Sequence, residues 1–230
     1  MEIGGLQKVT LLDFPSKVAC IVFTTGCNFR CPYCQNGSLV LNTGEKELLD
    51  LEEIFAYLKK RKGILDGVCI SGGEPLLQNN LKELLMQIKK MGFAIKLDTN
   101  GTSPNKLKEL IDLQLVDYVA MDIKNNFAKY QETVGVKNPF LEAVKASIQL
   151  LEESSIPHEF RTTIVKELHT VDDILAIGKL FCPKTAYYLQ NYEDSDNVIQ
   201  KGLHGFSTEE LLQLKQSLKT KMPNLIIRGL

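Results

Sequence analysis

The chain has 230 residues, 44% of them apolar and 24% charged, and its 27 basic and 28 acidic side chains leave a net charge of −1. That is material for one large α/β domain with a substantial core, and it excludes a global basic field for nucleic acid or acidic membranes. No apolar run approaches the roughly twenty residues of a membrane span, and residues 1–10 lack the features of a secretory leader. The six cysteines are therefore expected in a reducing, cytoplasmic setting, as thiols or metal ligands.

Taken in chain order, residues 1–16 read as an N-terminal extension. Short, β-rich, nearly continuous apolar runs follow at 18–23, 67–70, 94–97, 118–121, 159–164 and 186–189, with a last one at 225–227. Runs of that length and character suit strands buried on both faces. Helical periodicity fills the gaps. Asp50 with Glu53 and Ser207 with Glu210 read as capping boxes, while Asn80, Ser103 before Pro104, Asn138 before Pro139, and Thr170 read as further N-caps. Lys59, Lys60, Arg61 and Lys62 read as a solvated helix end. Alternating strands and helices imply βαβ units and a parallel sheet. Six units are too few for a closed eight-fold barrel, so the expected architecture is a partial, three-quarter (β/α)6 barrel, with a doubly wound sheet as the alternative. The expected organisation is a single domain over 1–230, with a core at 17–192 and a closing helix and strand at 193–230.

The densest chemistry is Cys27-x-x-x-Cys31-x-x-Cys34, directly after the first core strand. Three thiolates in eight residues can hold three irons of a four-iron cluster and leave one iron open to a ligand. A structural zinc site is the alternative, but zinc usually closes with a fourth nearby Cys or His, and His158, His169 and His204 are remote in sequence. Cys20 and Cys69 sit in apolar runs as small hydrophobes, and Cys182 carries no assigned role.

The remaining unusual residues recur at strand ends. Gly72-Gly73-Glu74-Pro75 follows the second core strand and Asp98-Thr99-Asn100-Gly101 the third, Asp122-Ile123-Lys124 ends the fourth, Arg161 lies in the fifth, and Gln190-Asn191-Tyr192-Glu193 follows the sixth. Parallel α/β barrels build active sites at the C-terminal ends of their strands. Singly, each motif also has a plain reading: a tight turn for Gly72-Gly73, a turn former for Asp98, and a mutual ion pair for Asp122 and Lys124.

The cysteine spacing, with Tyr33 before the last Cys, and Gly72-Gly73-Glu74-Pro75 resemble the radical S-adenosylmethionine (SAM) enzymes. Thr25-Gly26-Cys27-Asn28-Phe29-Arg30-Cys31-Pro32-Tyr33-Cys34-Gln35-Asn36-Gly37, Leu97-Asp98-Thr99-Asn100-Gly101 and Met121-Asp122-Ile123-Lys124 look like the activating enzymes of glycyl radical enzymes. The opening Gly5-Leu6-Gln7-Lys8-Val9-Thr10-Leu11-Leu12-Asp13-Phe14-Pro15 is similar to the anaerobic ribonucleoside-triphosphate reductase activating subgroup.

That resemblance implies reductive cleavage of SAM at a [4Fe–4S] cluster and hydrogen abstraction from a glycine of a partner enzyme. It implies Cys27, Cys31 and Cys34 as iron ligands, Tyr33 near the adenine, and Gly72, Gly73 and Glu74 near the methionyl amine. Asp98, Thr99, Asp122 and the Ala120 carbonyl would form a monovalent-cation site, and Lys124 and Arg161 would contact the SAM carboxylate or the partner backbone. Gln35 stands where the family often has His, and Gln190-Asn191-Tyr192 where some members have Pro-Tyr-His. With no second cysteine cluster, the electron would come from reduced flavodoxin or ferredoxin. Residues 125–137, with Phe127 and Tyr130, would be the docking loop. The same motifs leave open a radical SAM enzyme acting on a small molecule, and less so a non-enzymatic iron–sulfur electron carrier.

Overall fold

The structure is a computed structural model that describes residues 1–41 and 48–230. Its strands are β1 (Ile3–Thr10), β2 (Ala19–Thr24), β3 (Gly67–Gly72), β4 (Ala94–Thr99), β5 (Tyr118–Asp122), β6 (His158–Ile164), β7 (Ala186–Asn191) and β8 (Leu225–Arg228). The helices are α1 (Gly37–Val40), α2 (Leu51–Lys60), α3 (Leu81–Lys90), α4 (Pro104–Asp112), α5 (Tyr130–Val134), α6 (Leu141–Glu153), α7 (Val171–Ile177) and α8 (Thr208–Leu218). No helix among the described residues is long and apolar enough to cross a membrane.

Two compact units make up the described chain. The first holds β1 to β4 and the start of β5, hydrogen-bonded in sequence order. Parallel pairing aligns Thr24 of β2 with Gly72 of β3, and Cys69 of β3 with Lys96 of β4. Phe14, Ala19, Ile21 and Cys69 form an apolar cluster with Phe23, Ala94 and Tyr118 packed against it. Gly67 fits there because a Cβ would stand 2.8 Å from the Phe14 ring. Residues 3–10, expected as an extension, instead form β1, antiparallel to β2, with Leu6 opposite Val22. The exposed Lys8 and Val9 dilute the apolar pattern that marks the other strands.

The second unit holds the end of β5, then β6, β7 and β8, again in sequence order and parallel from β6 onward. Phe160 of β6 stacks on Phe181 at 4.6 Å, and Phe181 tilts against Tyr187 of β7 at 5.1 Å. Such aromatic contacts add to what burial alone contributes. The parallel α/β architecture expected from the alternating pattern is therefore present.

The capping signals divide. Thr170–Asp173 and Ser207–Glu210 form complete reciprocal boxes, whereas Asp50, Asn80 and Ser103 make no side-chain cap bond. Asn138 closes an Asx turn, its Oδ1 accepting from Phe140 N at 3.1 Å, and the helix starts at Leu141 rather than Pro139.

Candidate functional site

In the first unit the Gly-Gly turn is shaped by close backbone approach. Gly72 has φ +113°, and a Cβ on Gly73 would lie 1.9 Å from the Gly26 carbonyl oxygen. Gly73 N donates to Thr24 O at 2.9 Å and Glu74 N to Gly26 O at 2.8 Å, so this turn and the start of the cysteine loop are hydrogen-bonded together. The Glu74 side chain is buried and accepts from Leu76 N at 3.1 Å and from the Thr99 hydroxyl at 2.8 Å. It caps the short 3-10 turn Pro75–Leu77 and ties it to the end of β4.

Asp98 lies one residue before that end. Its Oδ2 accepts from the Ser71 hydroxyl at 3.1 Å, and its Oδ1 accepts from Lys96 Nζ. Lys96 is completely buried, an ammonium in the middle of a strand whose neighbours Ile95 and Leu97 are fully buried hydrophobes. Lys96 and Asp98 are two apart and share one face of β4.

The second unit carries Cys31, Tyr33 and Cys34. Their loop is pinned on several sides: Arg30 N donates to Val134 O at 2.8 Å, Gln200 N to Pro32 O at 2.8 Å, Gly37 N to Asn197 O at 2.9 Å, and Gln35 Nε2 to Glu193 O at 3.0 Å. Phe29, just ahead, is buried edge-on to Tyr130 with ring centroids 6.2 Å apart. Gly135 permits the approach, since a Cβ there would stand 2.4 Å from Arg30 O. Gln35, standing in place of the family's His, thus anchors the loop to segment 193–200 through an amide.

At the end of β5, Asp122 accepts from Arg161 Nε at 2.8 Å and from Lys124 Nζ at 3.0 Å. Burial alone would raise the Asp122 carboxyl, but the Arg161 guanidinium and then the Lys124 ammonium hold it well below the usual carboxylate range. Burial would lower Lys124, and Asp122 outweighs that and keeps it protonated. Two cations, Arg161 and Lys124, are thus gathered on the Asp122 carboxylate, and side chains of this kind suit anionic ligands. The mutual pairing considered for Asp122 and Lys124 is present, with Arg161 as a third member.

Tyr33 is buried, its pKa pushed well up by burial and then by Cys31, and its Oη is a buried oxygen with no hydrogen-bond partner among the described residues. The ring of His169, also buried, meets it edge-on at 6.3 Å. His169 Nδ1 accepts from Val165 N at 3.1 Å, and Nε2 lies 2.8 Å from Lys124 O, which requires the proton on Nε2. This histidine joins the cysteine loop to the ends of β5 and β6. Sequence reasoning set it aside as remote, and no local motif marks it.

One expectation needs correcting. Tyr130 cannot present itself to a partner, since it is fully buried inside α5 and packs on Phe29 and Phe127. Asn191 and Tyr192 have structural bonds: the Asn191 amide exchanges two 2.8 Å hydrogen bonds with the backbone of Phe206, and Tyr192 is buried. Burial pushes the Cys20 and Cys69 thiols up to about 12, as befits small core hydrophobes. Cys182 is exposed.

The protein matches the radical SAM superfamily over residues 21–180. The chain belongs to the radical SAM superfamily. It is 34% identical, over 98% of its length and 95% of the relative's, to a Methanocaldococcus jannaschii protein described as a "putative glycyl-radical enzyme activating enzyme". A GTP 3',8-cyclase of Alkaliphilus oremlandii is 32% identical over 56% of this chain and 42% of that one. Among solved structures, Streptococcus suis SuiB bound to S-adenosylmethionine shares the fold with a TM-score of 0.72 and 16% identity, over 91% of this chain and 49% of that one. The protein is thus a radical SAM enzyme, and membership implies a [4Fe–4S] cluster and SAM as cofactors. The donor set fits them. Three cysteines lie within eight residues of one loop, none of the six cysteines is in a disulfide, and the same loop holds the orphaned Tyr33 hydroxyl. Among the described residues no three Cys, His, Asp or Glu side chains are already gathered as ligands of a single ion, so the fit rests on donor chemistry.

Proposed function

We propose that this radical SAM enzyme is an activase that installs a glycyl radical on a partner enzyme, with Cys27, Cys31 and Cys34 as the iron ligands. The observation that carries the reading is the match over nearly the full length of both chains to the M. jannaschii protein bearing that description. The opening motif at residues 5–15 favours anaerobic ribonucleoside-triphosphate reductase as the partner, and reduced flavodoxin or ferredoxin is the proposed electron donor.

When bound, cluster and SAM supply one-electron cleavage of a sulfonium bond and a hydrogen-abstracting adenosyl group. The residues of the chain position and shield. An incoming methionyl ammonium needs acceptors, and the N–H groups of Gly73 and Glu74 are already donated to Thr24 and Gly26, so the carbonyls of the Gly72-Gly73 turn are the suitable contacts. Glu74 and Thr99 brace that turn. Arg161 and Lys124 offer the SAM carboxylate or the partner backbone a positive site, with Asp122 orienting both. Tyr33, neutral and buried, supplies an aromatic face for adenine.

For the partner, Gln131, Glu132 and Lys137 border a concavity of about 480 Å³ on the segment 125–137. That segment is braced at its base by Asn126 and Lys129 bonding Asp173. Loops on a rigid scaffold commonly carry recognition.

A small-molecule substrate is the second reading, favoured by the partial likeness to GTP 3',8-cyclase. The deciding experiment is anaerobic. The cluster is reconstituted, reduced with dithionite, and given SAM, and 5′-deoxyadenosine is measured with and without anaerobic ribonucleotide reductase, beside a Cys31→Ala control. Product that depends on Cys31, with a glycyl radical signal on the reductase, supports the activase. Product without a radical on that reductase or on any other glycyl radical enzyme turns the reading to a metabolite. No product from a full, reducible cluster, with the partner present, overturns both.

A further inference from the structure

Beyond β7 the chain makes a closed surface loop. The Asn191 amide and the Phe206 backbone exchange two 2.8 Å hydrogen bonds, a Cβ on Gly205 would stand 2.1 Å from Tyr192 O, and Lys166 N donates to His204 O at 2.9 Å. With its ends drawn together in this way, segment 192–205 is an Ω-loop, a form that frequently carries function. Val198 and Leu203 are buried while Asp194, Asp196 and Lys201 are exposed, and Lys201 Nζ closes the lobe on Ser195 O at 2.6 Å.

The lobe is seated on the part of the cysteine loop that follows Cys31, and it bonds that part on both sides of Cys34. Gln200 N donates to Pro32 O at 2.8 Å, Gln35 Nε2 to Glu193 O at 3.0 Å, and Gly37 N to Asn197 O at 2.9 Å. Gly37 permits the approach, since a Cβ there would stand 2.4 Å from Asn197 O and 3.2 Å from Ile199 Cγ1.

We propose that this Ω-loop is a wall on the Cys31–Cys34 side of the iron–sulfur site, with Gln35 and Gly37 as the positioning residues that seat it. Cys34 lies in a short turn closed by its N–H on Cys31 O at 3.0 Å. Ligands in such a turn hold metal tightly where outer partners fix their orientation, and the lobe supplies three such bonds around Cys34. The wall also limits water at that side, and the potential of a cluster follows its solvent exposure.

The inference rests on Cys31 and Cys34 as iron ligands and is independent of the partner. Reconstituted wild type is compared with Gln35→Ala, Gly37→Ala and a variant whose residues 194–203 are replaced by two glycines, a short bridge that the closed neck allows. Thermal midpoint, iron retention against a chelator, bleaching in air and cluster potential are measured for each. Iron affinity is expected to fall about tenfold in Gly37→Ala and in the excised variant, and less in Gln35→Ala. Bleaching should quicken in the same order, and the potential should become less negative, because water favours the added electron. A loop that only stabilised the fold would move the midpoint and leave the potential of the loaded protein unchanged. Wild-type iron retention and potential in folded Gly37→Ala and the folded excised variant overturn the proposal. If neither folds, Gln35→Ala decides, since its side chain is exposed, and wild-type behaviour there overturns the proposal as well. A Cys34→Ala protein that assembles a wild-type cluster overturns the ligand assignment and the proposal with it, whereas unchanged potentials in the loop variants overturn the wall alone.

Discussion

The imidazole of His169 meets the ring of Tyr33 edge-on, with centroids 6.3 Å apart and planes at 77°. Its two nitrogens are fixed by Val165 N–H on one side and the Lys124 carbonyl on the other. An imidazolium would present a second N–H toward Val165 N–H, so the folded protein holds His169 neutral, and burial lowers its pKa from 6.5. The unfolded chain takes up this proton below about pH 6.5, while the folded one does not until lower pH. The stability contribution is therefore complete above about pH 6.5 and lost as pH falls through the folded pKa. Urea midpoints measured between about pH 7.5 and 5 should decline, and His169→Gln should flatten that decline by one group's worth. An unchanged slope in the variant would show that another group titrates. The Asp122 carboxyl, depressed by Arg161 and Lys124, acts in a separate window: its contribution is present above its ordinary value of 3.8 and lost only below it.

The two helices with complete capping boxes should be sensitive to loss of the cap, and α2 should not. Thr170→Ala and Ser207→Ala are each expected to cost about 1 kcal/mol, because each hydroxyl accepts from the third residue of its helix. Asp50→Ala should cost less than about 0.5 kcal/mol, since the Asp50 side chain makes no cap bond. Chemical denaturation of the three variants compares them directly. Equal losses would mean that Asp50 acts through the helix dipole rather than through a bond.

How far the sequence could be read follows from the same details. β2 to β6 were legible because their buried runs are nearly continuous, and β7 and β8, only partly buried, through the short apolar stretches 186–189 and 225–227; β1 was not, since an antiparallel edge strand with exposed Gln7, Lys8 and Val9 shows no such run. The Gly72-Gly73 turn, Asp98 and Asp122 were singled out by their places at or near strand ends, and Arg161 by its place in a strand, where it lies midway along β6. Lys96 was read only as part of the apolar strand run 94–97, with no role of its own. Only its pairing with Asp98 shows why it can be buried. His169 is invisible for another reason: its contacts, to Tyr33, Lys124 and Val165, are mostly long-range and leave no spacing in the chain. Tyr130 had the aromatic character of a docking residue, but α5 turns it inward.

Gly73 and Gly63 separate steric from conformational demands on glycine. A methyl at Gly73 would stand 1.9 Å from a backbone oxygen that accepts from Glu74 N, and the turn cannot yield without losing that bond. Gly73→Ala is expected to destabilise by at least about 2 kcal/mol and to disturb the cysteine loop through Gly26. Gly63 has φ +80° with open space around it, so Gly63→Ala should cost only about 1 kcal/mol, through backbone strain. Thermal unfolding distinguishes the two, and iron content after reconstitution provides the second readout. A Gly73→Ala protein of normal stability and iron content would show that the Thr24–Gly26 segment yields easily.

Glu159 offers a test of how the second unit tolerates a buried charge. Its side chain is completely buried on β6, and Arg228 on β8 reaches it with Nη2 to Oε1 at 2.8 Å while its guanidinium lies 4.5 Å over the Tyr188 ring. Arg228→Met keeps much of the stem's packing and removes the charge, leaving a desolvated carboxylate without this counter-ion. Breaking a buried pair from one side costs about 3–5 kcal/mol, and the partial exposure of Arg228 places the expected loss near the lower figure. Glu159→Gln combined with Arg228→Met removes both charges, and it should recover a large part of that loss, because most of it is the cost of an uncompensated charge. Urea denaturation of the two singles and the double closes the cycle. A double variant as unstable as Arg228→Met alone would show that β8 is held by the stacking on Tyr188 and not by the ion pair.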